Sequence, residues 1–219
     1  MPVSQYEQYL HLPELLKLQH PRARELGEAV RASESFFIVV HQSAELLLRQ
    51  LLIDLEAAVR DCERGADEWS DTEAGLRRAA AVMRMLREHV ETLDHLPRAH
   101  FLAFRKLLGT ASAGESAQFA RVFALLGADG PPGASARGPE PGKAEGRAVP
   151  GSVTEGFEDV RRELRRWQEA HITLVERLIG EAEGTGGTAG VSWLRSRLLP
   201  VAEAGAEDGP SARREEGPV

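Results

Sequence analysis

Apolar residues return every three or four positions over three long stretches of this chain, and that spacing decides most of what it can fold into. Phe37, Val40, Ala44, Leu48, Leu51, Leu55 and Val59 line one face of a helix predicted from Ser33 or Glu34 to about Arg64. Leu76, Ala80, Met83, Leu86 and Val90 do the same for a second, announced by the capping-box pattern Ser70-Asp71-Thr72-Glu73 and ending near Leu93. A third stripe, Phe157, Val160, Leu164, Trp167, His171, Leu174 and Leu178, belongs to a helix from Val153 to Ile179 closed by Gly180. Two shorter helices, Pro97 to Leu108 and about Ser112 to Leu126, end on Gly109 and Gly127, each suited to a left-handed position just past a helix. No segment alternates with period two and only 5% of residues are aromatic, so the expected fold class is all-α, a helical bundle.

The 219 residues suffice for one sizeable core. Between positions 128 and 151 six glycines and five prolines fall within 24 residues, which reads as a flexible linker inside a single domain covering residues 1–202. Residues 203–219, polar and rich in glycine and charge, read as a disordered tail. A net charge of −7 argues against a nucleic-acid partner. No uninterrupted apolar run reaches the length of a membrane span, and the opening residues lack the pattern of a secretory signal, so no membrane is expected and the location expected is cytoplasmic. Cys62 is the one cysteine, set among charged neighbours; it excludes an internal disulfide and thiolate metal clusters.

Three residues stand in unusual company. His41 lies within FFIVVHQ, four residues after Phe37, and a helix turns it onto the apolar face. His171 stands likewise between Trp167 and Leu174. Each reads either as a core histidine bonded to a neighbour or as a ligand or catalytic donor. Arg105, four residues after Phe101, puts a guanidinium beside an apolar face, where it needs an anion: a protein carboxylate or that of a ligand. The run Gly184-Thr185-Gly186-Gly187 follows a helix, not a strand, which rejects a dinucleotide fold and leaves a linker or a loop of exposed amides. Glu-x-x-His pairs are absent, against a di-iron bundle, and so is G-x-S-x-G, against a serine hydrolase. His89, His95 and His100 with Glu88, Glu91 and Asp94 read as a solvated face before a metal site.

Four stretches resemble, in order, the tryptophan 2,3-dioxygenase family of haem enzymes: YEQYLHLPELLKLQ, SFFIVVHQSAELLLRQLL, FLAFRKLLGTASAGESAQF and WQEAHITLVERLIGEAEGTGGTAGVSWLR. The resemblance implies a helical haem fold, haem b as cofactor, dioxygen as co-substrate and an aromatic amino acid, L-tryptophan or a substituted tryptophan, as substrate. His171, in H-x-x-x-V-E-R-x-I-G, then corresponds to the axial ligand of the haem iron, with Trp167 one turn before it on the cofactor side. His41 corresponds to the distal histidine that accepts the indole N–H, with Phe37 packed beside it. Arg105 matches the arginine that grips the amino-acid carboxylate, and Phe101 stands where relatives often carry tyrosine. Thr185 matches a contact to the substrate's amino-acid end, and Tyr6 and Tyr9 match a Y-x-x-Y segment that caps a neighbouring subunit's site, which implies a homo-oligomer, a tetramer or dimer. The reaction implied opens the indole C2–C3 bond to an N-formylkynurenine.

The chain departs from the family pattern in three places. Ser112-Ala113-Gly114-Glu115-Ser116-Ala117-Gln118-Phe119-Ala120 replaces an S-G-F-Q-S-L-Q-F-R run, and Phe123 holds a glutamate's position. Glu45-Leu46-Leu47-Leu48-Arg49 replaces E-L-W-F-K, and the 128–151 linker replaces an aromatic-rich helical segment. Three alternatives stay open from sequence: a haem monooxygenase of an indole or other aromatic amino acid, a haem-binding helical protein without turnover, and a haem-free helical bundle whose histidines are merely packed.

Overall fold

The computed structural model describes residues 3–109, 111, 113–127, 148–180, 182 and 190–199. Among them every regular element is helical: α1 (Gln5–Tyr9), α2 (Leu12–Leu15), α3 (Glu28–Arg64), α4 (Ser70–Thr92), α5 (Arg98–Arg105), α6 (Ala117–Leu125), α7 (Gly151–Ile179) and α8 (Val191–Arg195). The all-α expectation holds.

Helix α3 begins at Glu28, earlier than expected, because Glu28 to Ala32 are good helix formers and Gly27, at φ 92°, supplies the turn that starts them. It ends at Gly65, whose positive φ lets its amide reach back to the Asp61 carbonyl and turns the chain into α4. The capping box expected at Ser70 is not formed. Trp69 occupies the cap, Ser70 is already helical, and its hydroxyl donates to Glu68 at 3.0 Å while Glu73 accepts from Ser152 of α7. Helices α5 and α6 are shorter than read, Arg98–Arg105 and Ala117–Leu125, and their chains do turn at Gly109 and Gly127 with positive φ. Gly151, assigned to the linker, is the first residue of α7; positions 128–147 and the 203–219 tail lie outside the described residues.

Helix α4 is the spine. Both α3 and α7 run along it, whereas α3 and α7 make no comparable contact with each other. Helix α6 sits on α3, and α5 bridges α3 and α7. The α4–α7 approach is close because residue 156 is glycine: a Cβ there would stand 2.9 Å from Leu76 Cδ1 and 3.0 Å from its Cβ. Where α3 meets α4, the buried carboxylate of Asp54 takes two hydrogen bonds from Arg78, from Nε at 3.0 Å and Nη2 at 2.5 Å, and one from Gln50 at 3.1 Å.

The apolar interior falls into two cores. One joins Leu48, Leu51 and Leu55 of α3, Leu76 to Leu86 of α4, Val122 and Leu125 of α6, and Val153 to Leu164 of α7. The other joins Val40, Val90, Leu93, Phe101, Phe104, Leu174 and Leu178. On α3 the break falls between Val40 and Leu48, and on α7 between Leu164 and Leu174. Cys62, expected among surface charges, is instead buried in the first core, since it continues the Leu51, Leu55, Ala58 stripe, and burial pushes its thiol pKa up.

One correction concerns the membrane expectation: an 18-residue window of α3 is long and apolar enough on average to cross a bilayer. In the structure 22% of that window is buried, and along the helix Leu48, Leu51 and Leu55 are completely buried against its neighbours.

Candidate functional site

The break between the two cores is where His41 and His171 sit. Both are half-buried, and burial lowers both pKa values. For His171 the pKa falls to about 4, with the charge of His41 a second cause, so the two imidazoles sense each other across the gap between α3 and α7. Both rings are neutral near pH 7.

His41 Nδ1 lies 2.8 Å from the Phe37 carbonyl oxygen. A carbonyl only accepts, so Nδ1 carries the proton and Nε2 of the neutral ring is left as an acceptor. The Phe37 ring lies 4.0 Å from the imidazole, centroid to centroid, and joins Phe101 at 5.9 Å and Phe104 at 5.5 Å. A 2.8 Å hydrogen bond between Ser33 and His100 fastens α5 to α3 beside this aromatic group. One turn past Phe101 comes Arg105, half-buried in an open groove of about 350 Å³ that it shares with Leu102, Lys106 and Gly109. Lys106 stands beside Arg105 in that groove as a second cation.

On α7, Trp167 stacks on His171 with 8° between ring planes and centroids 5.1 Å apart. Phe119 of α6 stacks on Trp167 at 4.4 Å, and Phe123 on Phe119 at 6.2 Å. No hydrogen bond to either ring nitrogen of His171 occurs among the described residues; its neutral imidazole keeps a lone pair for a metal, and the apolar residues of both cores around Trp167 suit a flat hydrophobic group. That donor set fits a haem. It does not fit a protein-only metal centre, for which the described residues offer no cluster of three histidine, cysteine or carboxylate ligands. The His89 to His100 region bears out its reading as a polar face: Asp94 pairs with Arg177 at 3.1 Å and His89 Nδ1 meets the Met85 carbonyl at 2.8 Å.

Phe37, His41 and Phe101 form one ring group on α3 and α5, Trp167 and His171 a second on α7, and the charge of His41 reaches His171 between them; Arg105 lines the groove on the Leu102, Lys106 and Gly109 side of α5. Tyr6 and Tyr9 do not join them in this chain: they sit on α1, which rests on α2, and are 69% and 84% exposed. Thr185 lies outside the described residues. Sequence reasoning missed Phe119 as the support of Trp167. It also missed Gln168, buried beside Trp167, which donates to the Arg197 carbonyl at 2.8 Å and accepts from the Leu199 amide at 3.1 Å. A glutamine four residues after Leu164, on the buried side of an amphipathic helix, was the available signal.

The family model for tryptophan 2,3-dioxygenase matches residues 2–131 and 144–201. Among curated relatives, the tryptophan 2,3-dioxygenase of Anaeromyxobacter sp. (strain K) is 30% identical over 90% of this chain and 91% of its own length. That of Nocardioides sp. (strain ATCC BAA-499 / JS614) is 30% identical over 88% of each, and that of Xanthomonas campestris pv. campestris (strain B100) is 28% identical over 88% of this chain and 82% of its own. Matched along most of its length by the family and by relatives that align with it nearly end to end, the chain belongs to the tryptophan 2,3-dioxygenase family.

Proposed function

We propose that this protein is a haem-dependent dioxygenase of L-tryptophan or a ring-substituted tryptophan, opening the indole C2–C3 bond to an N-formylkynurenine. The observation that supports the reading is the pair of neutral histidines, His41 on α3 and His171 on α7, near enough that the charge of His41 helps lower the pKa of His171. Haem b, when bound, supplies dioxygen activation, and both oxygen atoms end in the product, one on each carbon of the broken bond.

His171 is the residue to hold the iron: its lowered pKa keeps the ligating nitrogen unprotonated throughout the neutral range. His41 accepts the indole N–H at Nε2, because its other nitrogen is committed to Phe37. Phe37 and Phe101 form the apolar wall along which the indole packs, excluding water from the reacting edge. Arg105 binds the substrate carboxylate with its fork of N–H donors, and Lys106 adds positive charge to the same groove. Holding the substrate at both ends, indole N–H and carboxylate, aligns the C2–C3 bond before chemistry begins. Thr185 contacts the substrate's amino-acid end, and the exposed Tyr6 and Tyr9 reach the site of a second copy in a homo-oligomer.

The test is an anaerobic optical titration of ferrous, haem-reconstituted protein with L-tryptophan, followed by dioxygen and mass analysis of the product. A spectral change on binding and a gain of two oxygen atoms support the proposal. Gain of one atom points to a monooxygenase, and a haem spectrum unmoved by any aromatic amino acid points to a binding protein without turnover.

A further inference from the structure

Metal-bound histidines are ordinarily oriented by a hydrogen bond from the second ring nitrogen to a carboxylate, carbonyl or water. No described side chain or carbonyl makes such a bond to His171, and the Trp167 indole lies nearly parallel to its ring, at 8° with centroids 5.1 Å apart. The two residues are four apart on α7, so they share a helix face. Trp167 is itself fixed. Phe119 stacks on it at 4.4 Å, and α6, which carries Phe119, is tied to α3 by Gln118, bonded to the Glu45 carbonyl at 2.8 Å and to its carboxylate at 2.6 Å. The Ser116 hydroxyl accepts from the Phe119 amide at 3.2 Å and holds the start of that helix.

We infer that Trp167 is a positioning residue for His171, setting the plane of the imidazole by stacking and transmitting to it the rigidity of α6 through Phe119. The inference rests on the proposed role of His171 as the haem ligand. Rotation of the imidazole about its Cβ–Cγ bond is the freedom that a hydrogen bond at the second nitrogen would remove. A broad indole held from behind removes it as well, without drawing electron density onto the ring. Phe123, where the family pattern has glutamate, extends the ring stack.

The experiment compares wild type, Trp167→Phe and Trp167→Leu. In the apoprotein, NMR of the histidine ring protons, assigned with His171→Ala, reads the stack directly: in wild type the His171 signals are shifted upfield by the indole, in Trp167→Phe part of the shift remains, and in Trp167→Leu it is lost. In the haem-reconstituted ferric protein with cyanide, the electron paramagnetic resonance spectrum is narrow for wild type and Trp167→Phe and broadened for Trp167→Leu, with haem affinity reduced up to roughly tenfold, the value of one stacking contact. Upfield signals that persist in Trp167→Leu overturn the stack. Loss of the upfield shift with an unchanged resonance spectrum overturns the positioning role and leaves Trp167 a packing residue. A haem spectrum identical in wild type and His171→Ala overturns the ligand assignment and this inference with it, and is told apart from the other two because the apoprotein signals still register the stack.

Discussion

His41 donates its Nδ1 proton to the carbonyl of Phe37, one turn earlier on the same helix, at 2.8 Å. That bond, with burial keeping the ring neutral, leaves Nε2 as an acceptor and makes the residue suited to an N–H donor. His41→Ala should therefore retain haem but lose roughly 10- to 100-fold in kcat/KM for L-tryptophan, the value of one hydrogen bond in a dry site. Wild type should discriminate strongly against 1-methyltryptophan, which has no indole N–H, and the variant should discriminate little. Steady-state kinetics with both substrates decide it; undiminished discrimination in the variant would remove His41 from indole recognition.

The pH dependence of stability follows from the same two rings. Above pH 6.5 His171 is neutral in folded and unfolded chains alike and its contribution is fully present. Between about 6.5 and 4 the unfolded chain binds a proton that the folded one refuses, so stability falls as pH falls, and the loss is complete below about 4. His41, lowered by burial as well, acts in the same direction. Urea unfolding of the apoprotein should show a loss on the order of 2 kcal/mol between pH 7 and 4, allowing for partial exposure of the ring. His171→Leu should flatten the curve; a variant as acid-sensitive as wild type would locate the effect elsewhere.

Gly156 is a site where a better helix former should hurt. In an open helix Gly→Ala gains about 0.5–1 kcal/mol, but here the new Cβ meets Leu76, which is fully buried between α4 and α7. Overpacking of that kind costs about 1–3 kcal/mol, so Gly156→Ala should lower the thermal midpoint, and pairing it with Leu76→Ala should recover part of the loss. Calorimetry of the two single variants and the double variant reads the coupling; strict additivity would mean that the helices do not approach so closely.

Much of this architecture was legible in the chain because apolar periodicity reports burial. Leu48, Leu51, Leu55, Leu164 and Leu174 all face inward as their spacing requires. The same periodicity could not show that the stripe is interrupted, since Val40 to Leu48 and Leu164 to Leu174 read as continuous until tertiary contacts divide them into two cores. The capping pattern at Ser70 misled because Trp69 already occupies the cap, a choice made by packing against the first core. His41, His171 and Arg105 were visible as polar groups in apolar company. Their partners were not: Phe119 reaches Trp167 from another helix, and Gln168 closes on a segment 29 residues away, distances in sequence that carry no local signal.

Arg105 offers the most selective test of substrate class. A guanidinium that binds a carboxylate through two parallel hydrogen bonds loses both on truncation, and charge-assisted bonds contribute about 1.5–3 kcal/mol each. Arg105→Ala should weaken L-tryptophan binding by roughly 100-fold or more, read from the spectral titration, while tryptamine, lacking the carboxylate, should bind wild type and variant within about twofold. Arg105→Lys keeps the charge but not the fork, so it should fall between the two, with Lys106 in the same groove limiting the loss. Equal weakening of tryptophan and tryptamine would show that Arg105 shapes the pocket and does not grip the carboxylate.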